Sequence, residues 1–375
     1  MRRKLTWRIG LVLAVALLAA GCFHTDEGEE TAGGTQTGQA AGGEGGASLL
    51  QQVQNRGSLN CGVNDAVPGF GVQTEEGGFE GFDIDFCRVV AAAVLGDPDA
   101  VEYRPLSAEE RFTALQAREI DVLIRNTTWT SSRDGGEGAT FLKTTYYDGQ
   151  GMMVRADSAY QSLEDMGGET ICVLSGTTTE LNLETVFRSR GIDYEPLSFE
   201  ETDPLQEAFI QERCGGWTSD LSQLAGIRSA WPDAQGGPEA LRILDEVMSK
   251  EPLGPVVRDG DTRWADAVNW AILATIQAEE LEVTSDNVQQ MLESDDPEVL
   301  RFLGQPAPAE LGGTPEPFDP ELGLPADFAV NVIEQVGNYG EIFDRHLGPD
   351  SPLQLERELN ALWTDGGLHY SPPYR

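Results

Sequence analysis

The sequence predicts an α/β protein built as two lobes, each a mostly parallel sheet flanked by helices. Strand-like and helix-like segments alternate from Leu59 onward, the signature of layered α/β units. About 325 residues also lie beyond a low-complexity N-terminal stretch, more than one compact core ordinarily holds. Leu59–Val63 reads as the first strand. Asp83 is placed to cap a helix on which Ile84, Cys87, Val90, Ala91 and Val94 form an apolar stripe. A strand over 101–103 follows, then a helix over 107–118, opened by a Ser107/Glu110 capping box with Phe112 and Leu115 on one face. A short buried strand is expected at 121–125. A second series begins with the Ile-Cys-Val-Leu run after Thr170, then a helix from about Thr178, a strand near Tyr194 and a helix over 202–212. A further helical run carries Leu221, Leu224 and Ile227. The Gly- and Pro-rich stretch 304–325 reads as a long surface loop inserted late in the chain.

The N-terminus sets the compartment. Arg2, Arg3, Lys4 and Arg8 precede an apolar run over 9–20, which small residues close before Gly21 and Cys22. This is a secretory signal pattern, too short for a comfortable bilayer span. Ala19-Ala20-Gly21-Cys22 resembles a bacterial lipobox, which implies cleavage before Cys22 and lipid on its sulfur. Residues 23–48 are Gly, Thr, Gln, Glu and Ala with little to bury, a flexible tether. The expected organisation is therefore a signal over 1–21 and a tether over 22–48.

The net charge of −38 becomes −42 without residues 1–21, which carry four basic and no acidic side chains. Such a surface repels nucleic acid and anionic membrane. Three lysines stand against 63 acidic residues. Either adaptation to high salt, which screens self-repulsion, or an acidic lineage without it would give this balance. Beyond Cys22 four cysteines remain, an even number in an exported chain, so disulfides are expected. Cys61 falls on a strand and Cys87 on the next helix, while Cys172 and Cys214 share a later region; we expect 61–87 and 172–214. No CxxC spacing occurs and the histidines are His24, His346 and His369, so no metal site or cofactor is expected. Leu142 stands before Lys143-Thr144 where a phosphate-binding loop needs glycine.

Three polar clusters carry the chemistry. Asn126, Thr127, Thr128, Thr130, Ser131, Ser132 and Arg133 follow the 121–125 strand. A guanidinium fork beside hydroxyls at a strand's end suits a small carboxylate; an ordinary loop with Arg133 paired to Asp134 is the alternative. Ser175-Gly176-Thr177-Thr178-Thr179-Glu180 joins a strand to a helix, where free amides favour an anion. Thr177 and Glu180 as a capping box would need no ligand. Cys214-Gly215-Gly216-Trp217-Thr218-Ser219-Asp220 ends a strand and opens a helix, with Asp220 either a functional acid or an N-cap.

These pieces together resemble the solute-binding proteins of ABC-type amino-acid importers, most closely the general L-amino-acid subgroup. The matching segments include GFDIDFCRVVAAAVLGD, ERFTALQAREIDVLIRNTTWTSSRD, TICVLSGTTTELNL and LNALWTDGGLHYSPPYR, and similarity spans nearly all of 59–375. The resemblance implies a two-lobed periplasmic-binding-protein fold of the Venus-flytrap type. Lobe one would take 50–149 and 258–375 and lobe two 156–250, with crossings at 150–155 and 251–257. It implies an L-amino-acid ligand, a separate ABC permease and ATPase as partners, and a monomer. Arg133, helped by Thr128, would grip the α-carboxylate, and Thr178 with the amides beside it would hold it from the other lobe. Asp220 would accept the α-ammonium, so that each buried charge meets a partner. Phe70 matches a position where relatives place an aromatic against the ligand, with core packing as its alternative. Trp129 would help shape the side-chain pocket, with Asn126 and Thr177 beside the ligand. Relatives carry an aspartate where this chain has Gly215, so the wall leading to Asp220 is its main departure. A sensory module feeding a receptor would share this site. A lyase of the same fold would need a nucleophile–histidine–acid set that the pocket segments lack.

Overall fold

The computed structural model describes residues 48–306 and 317–374. The signal, Cys22 and nearly all of the tether lie outside the described residues, as does the middle of the 304–325 stretch.

Two sheets organise the described chain. The first has the order Val101–Pro105, Leu59–Val63, Val122–Leu123, Val256–Arg258, Ala139–Phe141. Its first three strands run parallel and Val256–Arg258 returns antiparallel. The second has the order Glu195–Phe199, Thr170–Leu174, Gly216–Asp220, Tyr146–Arg155, Leu241–Ile243. Here too the first three strands are parallel, and Tyr146–Arg155 opposes its neighbours. Parallel strands need crossover helices, which bury both sheet faces. On the first sheet this role falls to Phe82–Leu95, an almost wholly buried helix. Thr262–Glu280, Phe328–Gln335 and Tyr339–His346 pack beside it in one core. On the second sheet Thr178–Arg190, Thr202–Ile210 and Leu221–Ser229 do the same.

The sheets are joined twice. Tyr146–Gly149 leads out of the first and Lys250–Leu253 leads back, paired antiparallel with Tyr146 opposite Leu253 and Gly149 opposite Lys250. Residues 150–155, expected as a crossing, instead run on inside the second sheet between Gly216–Asp220 and Leu241–Ile243. Met152, Met153 and Val154 are fully buried there, which makes this stretch a core strand. Asn360 clasps the outgoing crossing: the Tyr147 amide donates to its Oδ1 at 2.7 Å and its Nδ2 donates to the Tyr147 carbonyl at 3.2 Å.

Both disulfides form as expected, Cys61–Cys87 and Cys172–Cys214. Each ties a central strand to a neighbouring element within one sheet layer. Asp83 does not cap its helix. Gly81 occupies the cap with φ 136°, where an added Cβ would lie 2.3 Å from the Phe70 carbonyl oxygen. Only glycine fits that approach, and Asp83, one residue into the helix, accepts from the Asn126 amide at 2.7 Å.

Candidate functional site

The C-terminal ends of strands from both sheets converge on a small enclosed space, as the fold rule for open α/β sheets requires. The cavity measures about 20 Å³, room for a water or two. Asn126 and Thr128 line it from the first sheet, and Thr177, Thr178 and Asp220 from the second. Each sits at or a few residues past a strand end, so the sheets aim backbone and side chain together. Asn126 holds φ 26°, a left-handed turn that asparagine tolerates better than most residues. That turn lets it work in three directions: its amide on Asp83, its Oδ1 accepting from Asn64 at 2.5 Å, and its Nδ2 donating to Asp220 Oδ2 at 3.0 Å.

Asp220 stands at the first position before Leu221–Ser229, yet its side chain makes no capping hydrogen bond. The carboxylate turns into the cavity. Burial pushes its pKa well above the usual carboxylate range, with Asp148 and Glu251 adding to the rise and Asn126 and Arg111 opposing it. Burial likewise pushes Asp148 up to about 6 although it accepts from Ser222 and Gly149. The glycine pair Gly215-Gly216 leaves the strand in register, Gly216 opposite Ile171 and Trp217 opposite Cys172. An added Cβ at Gly216 would meet Met152 Sδ at 2.7 Å, so close packing accounts for the second glycine.

Thr177 caps Thr178–Arg190, its Oγ1 accepting from the Glu180 amide at 3.1 Å. Glu180 reaches the Gly176 amide at 3.2 Å, so only half of the expected box forms. Thr178, at the first helical position, bridges the sheets: its Oγ1 lies 3.2 Å from Thr128 Oγ1 and donates to Glu251 Oε2 at 2.7 Å. Asn182 and Ser249 also donate to Glu251, which explains how a fully buried carboxylate is tolerated.

Arg133 does not pair with Asp134. Its guanidinium donates to the Thr128 carbonyl at 3.0 Å and, across the cleft, to the Gly176 carbonyl at 3.4 Å. Burial lowers its pKa, and Glu251 and Asp220 oppose that. It stands beside the cavity wall and makes its contacts through neighbours. Phe70 and Trp129 are not brought into the cavity. Phe70 is packed edge-on to Phe82 and Tyr146 in the core, at 5.7 and 5.3 Å between centroids. Trp129 is 42% exposed and stacks on Phe141.

Lining residues that belong to none of the polar clusters read from the sequence include Asn64, Arg111, Arg125 and Gln223. Arg125 is buried, its Nε donating to the Leu106 carbonyl at 2.6 Å, and burial lowers its pKa to about 10. Arg111 packs over Phe112 with the guanidinium carbon 5.4 Å from the ring centroid. The Glu-Arg-Phe sequence at 110–112 offered a signal for it only as a charge on an otherwise apolar helical face.

Two α/β layers joined by a two-stranded ribbon, with buried groups of both signs meeting between them, are the architecture of two-lobed binding proteins. The family pattern of bacterial extracellular solute-binding proteins, family 3, matches residues 59–287. The general L-amino acid-binding periplasmic protein AapJ of Rhizobium johnstonii is 47% identical over 88% of this chain and 93% of its own length. The glutamate/glutamine/aspartate/asparagine-binding protein BztA of Rhodobacter capsulatus is 43% identical over 88% and 94%. A solved ABC transporter periplasmic binding protein from Brucella ovis, with glutathione bound, superposes with a TM-score of 0.82 at 45% identity, covering 88% of this chain and all of that one. The chain belongs to the bacterial extracellular solute-binding proteins, family 3. It is a binding protein and not an enzyme.

Proposed function

We propose that the chain captures L-α-amino acids between its two lobes and delivers them to an ABC permease and its ATPase, while lipid on the Cys22 sulfur holds it outside the cytoplasmic membrane. The observation that carries this reading is the opposition of charges around one cavity, Asp220 on one side and buried guanidinium groups on the other. A zwitterion supplies the complement to both, and desolvated charges need such partners. The names of the relatives, general L-amino acid binding and glutamate/glutamine/aspartate/asparagine binding, point the same way. Arg133 with Thr128 takes the α-carboxylate, Thr178 and the neighbouring amides hold it from the facing lobe, and Asp220 takes the α-ammonium. Asn126 orients Asp220, and Thr177 fixes the helix start that presents Thr178. Phe70 supports the cleft from behind, and Trp129 sits at its rim. Lobe one, 50–149 with 258–375, and lobe two, 150–250, close on the ligand as a monomer, bending at the ribbon. Closure is favoured because the ligand touches both lobes only in that form.

Calorimetric titration of the purified chain with the twenty L-amino acids tests the reading. Several should bind, and Asp220→Asn should weaken them by at least about 100-fold, the usual cost of removing one partner of a buried charge pair. A folded wild type that binds none of them overturns the proposal. Cys22→Ser should move the protein from the membrane to the soluble fraction; retention in the membrane would overturn the anchor.

A further inference from the structure

A glycine inside a helix needs a reason, because it destabilises the helix relative to alanine. Gly226 stands buried in the middle of Leu221–Ser229. Its backbone does not call for glycine, since its φ is negative like that of any helical residue. Packing is the reason. A Cβ added at Gly226 would lie 2.4 Å from the Pro68 carbonyl oxygen, 3.2 Å from the carbonyl carbon and 3.5 Å from the Pro68 Cβ. Apart from its chain neighbours and its own helix backbone, no atom stands closer. Pro68 belongs to the facing layer. Val67-Pro68-Gly69-Phe70 is a tight turn closed by the Phe70 amide on the Val67 carbonyl at 3.0 Å, with Gly69 at φ 85°. Val67 and Phe70 are buried in the core of the first sheet. Proline followed by glycine fixes such a turn, so the Pro68 carbonyl cannot swing aside as a side chain would. The contact flanks the cleft: Val67 lines the cavity, and Asp220 stands at the start of the helix that carries Gly226. Gly176 also approaches the first layer, where an added Cβ would meet Glu109 at 2.8 Å, but its φ of 69° favours glycine whatever the packing.

We propose that Gly226 sets how far the two lobes close, its missing side chain letting the Leu221–Ser229 helix seat against the Pro68 turn. This rests on the reading of the cleft as an amino-acid site that shuts on its ligand. Gly226 does not line the cavity; it is a positioning residue that acts through Asp220. A carbon and a carbonyl oxygen ordinarily rest about 3.3–3.6 Å apart, so a methyl group at 226 forces helix and turn apart by about 1 Å. The Asn126–Asp220 hydrogen bond across the cleft, 3.0 Å long, then stretches beyond hydrogen-bonding range. The groups of the two lobes no longer meet on one small solute, and misplacement on that scale is costly. In an open form the helix and the turn part, and the methyl group meets nothing.

The test compares the purified wild-type chain with Gly226→Ala by calorimetry against the twenty L-amino acids, by small-angle X-ray scattering and by melting without ligand. Alanine should weaken every amino acid that wild type binds by a common factor of at least about tenfold, because closure is shared by all of them. Saturation with the amino acid that wild type binds most tightly should shrink its radius of gyration, and should shrink that of the variant by no more than about half as much. Without ligand the variant should melt about 1–3 °C above wild type, since alanine favours the helix and the turn does not press on it. A glycine needed only for packing within its own lobe would give the opposite shift. Unchanged affinities, a loss confined to some ligands or full closure of the variant would each overturn the inference and leave the amino-acid reading standing. So would a variant that melts below wild type or fails to fold, because the obstruction would then lie inside the lobe. A folded wild type that binds none of the twenty overturns the amino-acid reading itself.

Discussion

Asp83 shows how far a residue's role can depart from its place in a sequence pattern. Its position before an apolar stripe promises a helix cap, but the close approach of the Phe70 carbonyl reserves that place for Gly81, and the carboxyl is buried under Asn126. Burial raises its pKa from 3.8 to about 7, with the Asn126 hydrogen bond and Arg125 opposing. Below about pH 4 the group is protonated folded or unfolded. Between about 4 and about 7 the folded chain keeps a proton that the unfolded chain has released, so stability falls as pH rises through that window. In Asp83→Asn the amide oxygen can still accept from Asn126 and nothing titrates. The variant should therefore gain on wild type by about 2–3 kcal/mol between pH 5 and pH 8, at roughly 1.4 kcal/mol per pH unit. Urea unfolding midpoints at the two pH values check this; parallel changes in both proteins would show that the Asp83 proton is not the cause. Other site residues were more legible. Thr128, Thr178 and Asp220 stand at strand ends and helix starts, where polar side chains have no core to join. Arg111 and Gln223 were not, because each lies among apolar neighbours on a helix and meets the cavity only when two sheets come together.

At the level of elements, most of the strand and helix series was visible because its strands are short apolar runs bounded by polar turns. Tyr146–Arg155 was not read as one strand. Gly149 and Gly151 break its pattern, and glycine inside a strand ordinarily signals a bulge or an end. Here they mark close packing: an added Cβ would meet Val247 at 2.6 Å and Leu221 at 2.4 Å, respectively. No element was assigned to 262–280, although Asp261 caps that helix by accepting from the Trp264 amide at 3.1 Å. The disulfides lie where strand and helix spacing put them, and their contribution follows from the loops they close. With sequence separations of 26 and 42 residues, chain-entropy arguments give about 3.5 and about 4 kcal/mol. Cys172→Ala with Cys214→Ala should thus destabilise slightly more than Cys61→Ala with Cys87→Ala, each relative to oxidised wild type in urea unfolding. Reductant should lower each variant further, because each keeps the other disulfide, and should lower wild type by about the sum of the two losses.

For the whole molecule, length and alternation were enough to anticipate two lobes, because one core cannot grow to cover so many residues. Where the chain changes lobes was harder to read, since the ribbon is built from the same strand that goes on to centre the second sheet. Net charge is the other global property, and it sets a prediction. At −38 the chain repels itself. The surface ion pairs among the described residues, such as Arg188–Glu184 and Arg104–Glu119, offset little of this, because exposed pairs contribute about 0–1 kcal/mol each. Raising sodium chloride from 0.1 to 1 M shortens the screening length from about 10 to about 3 Å. Exposed pairs then weaken slightly, while the far more numerous carboxylate–carboxylate repulsions collapse, so the net effect is stabilising. At about 2–4 °C per kcal/mol for a protein of this class, the melting temperature should rise by about 5 °C or more, measured by calorimetry at pH 7.5. The same titration at pH 4.5, with part of the carboxylates protonated, should show a smaller rise. A melting temperature indifferent to salt at pH 7.5 would mean that the acidic side chains are spaced widely enough for water alone to screen them. The acidity would then be a trait of lineage and not an adaptation to brine.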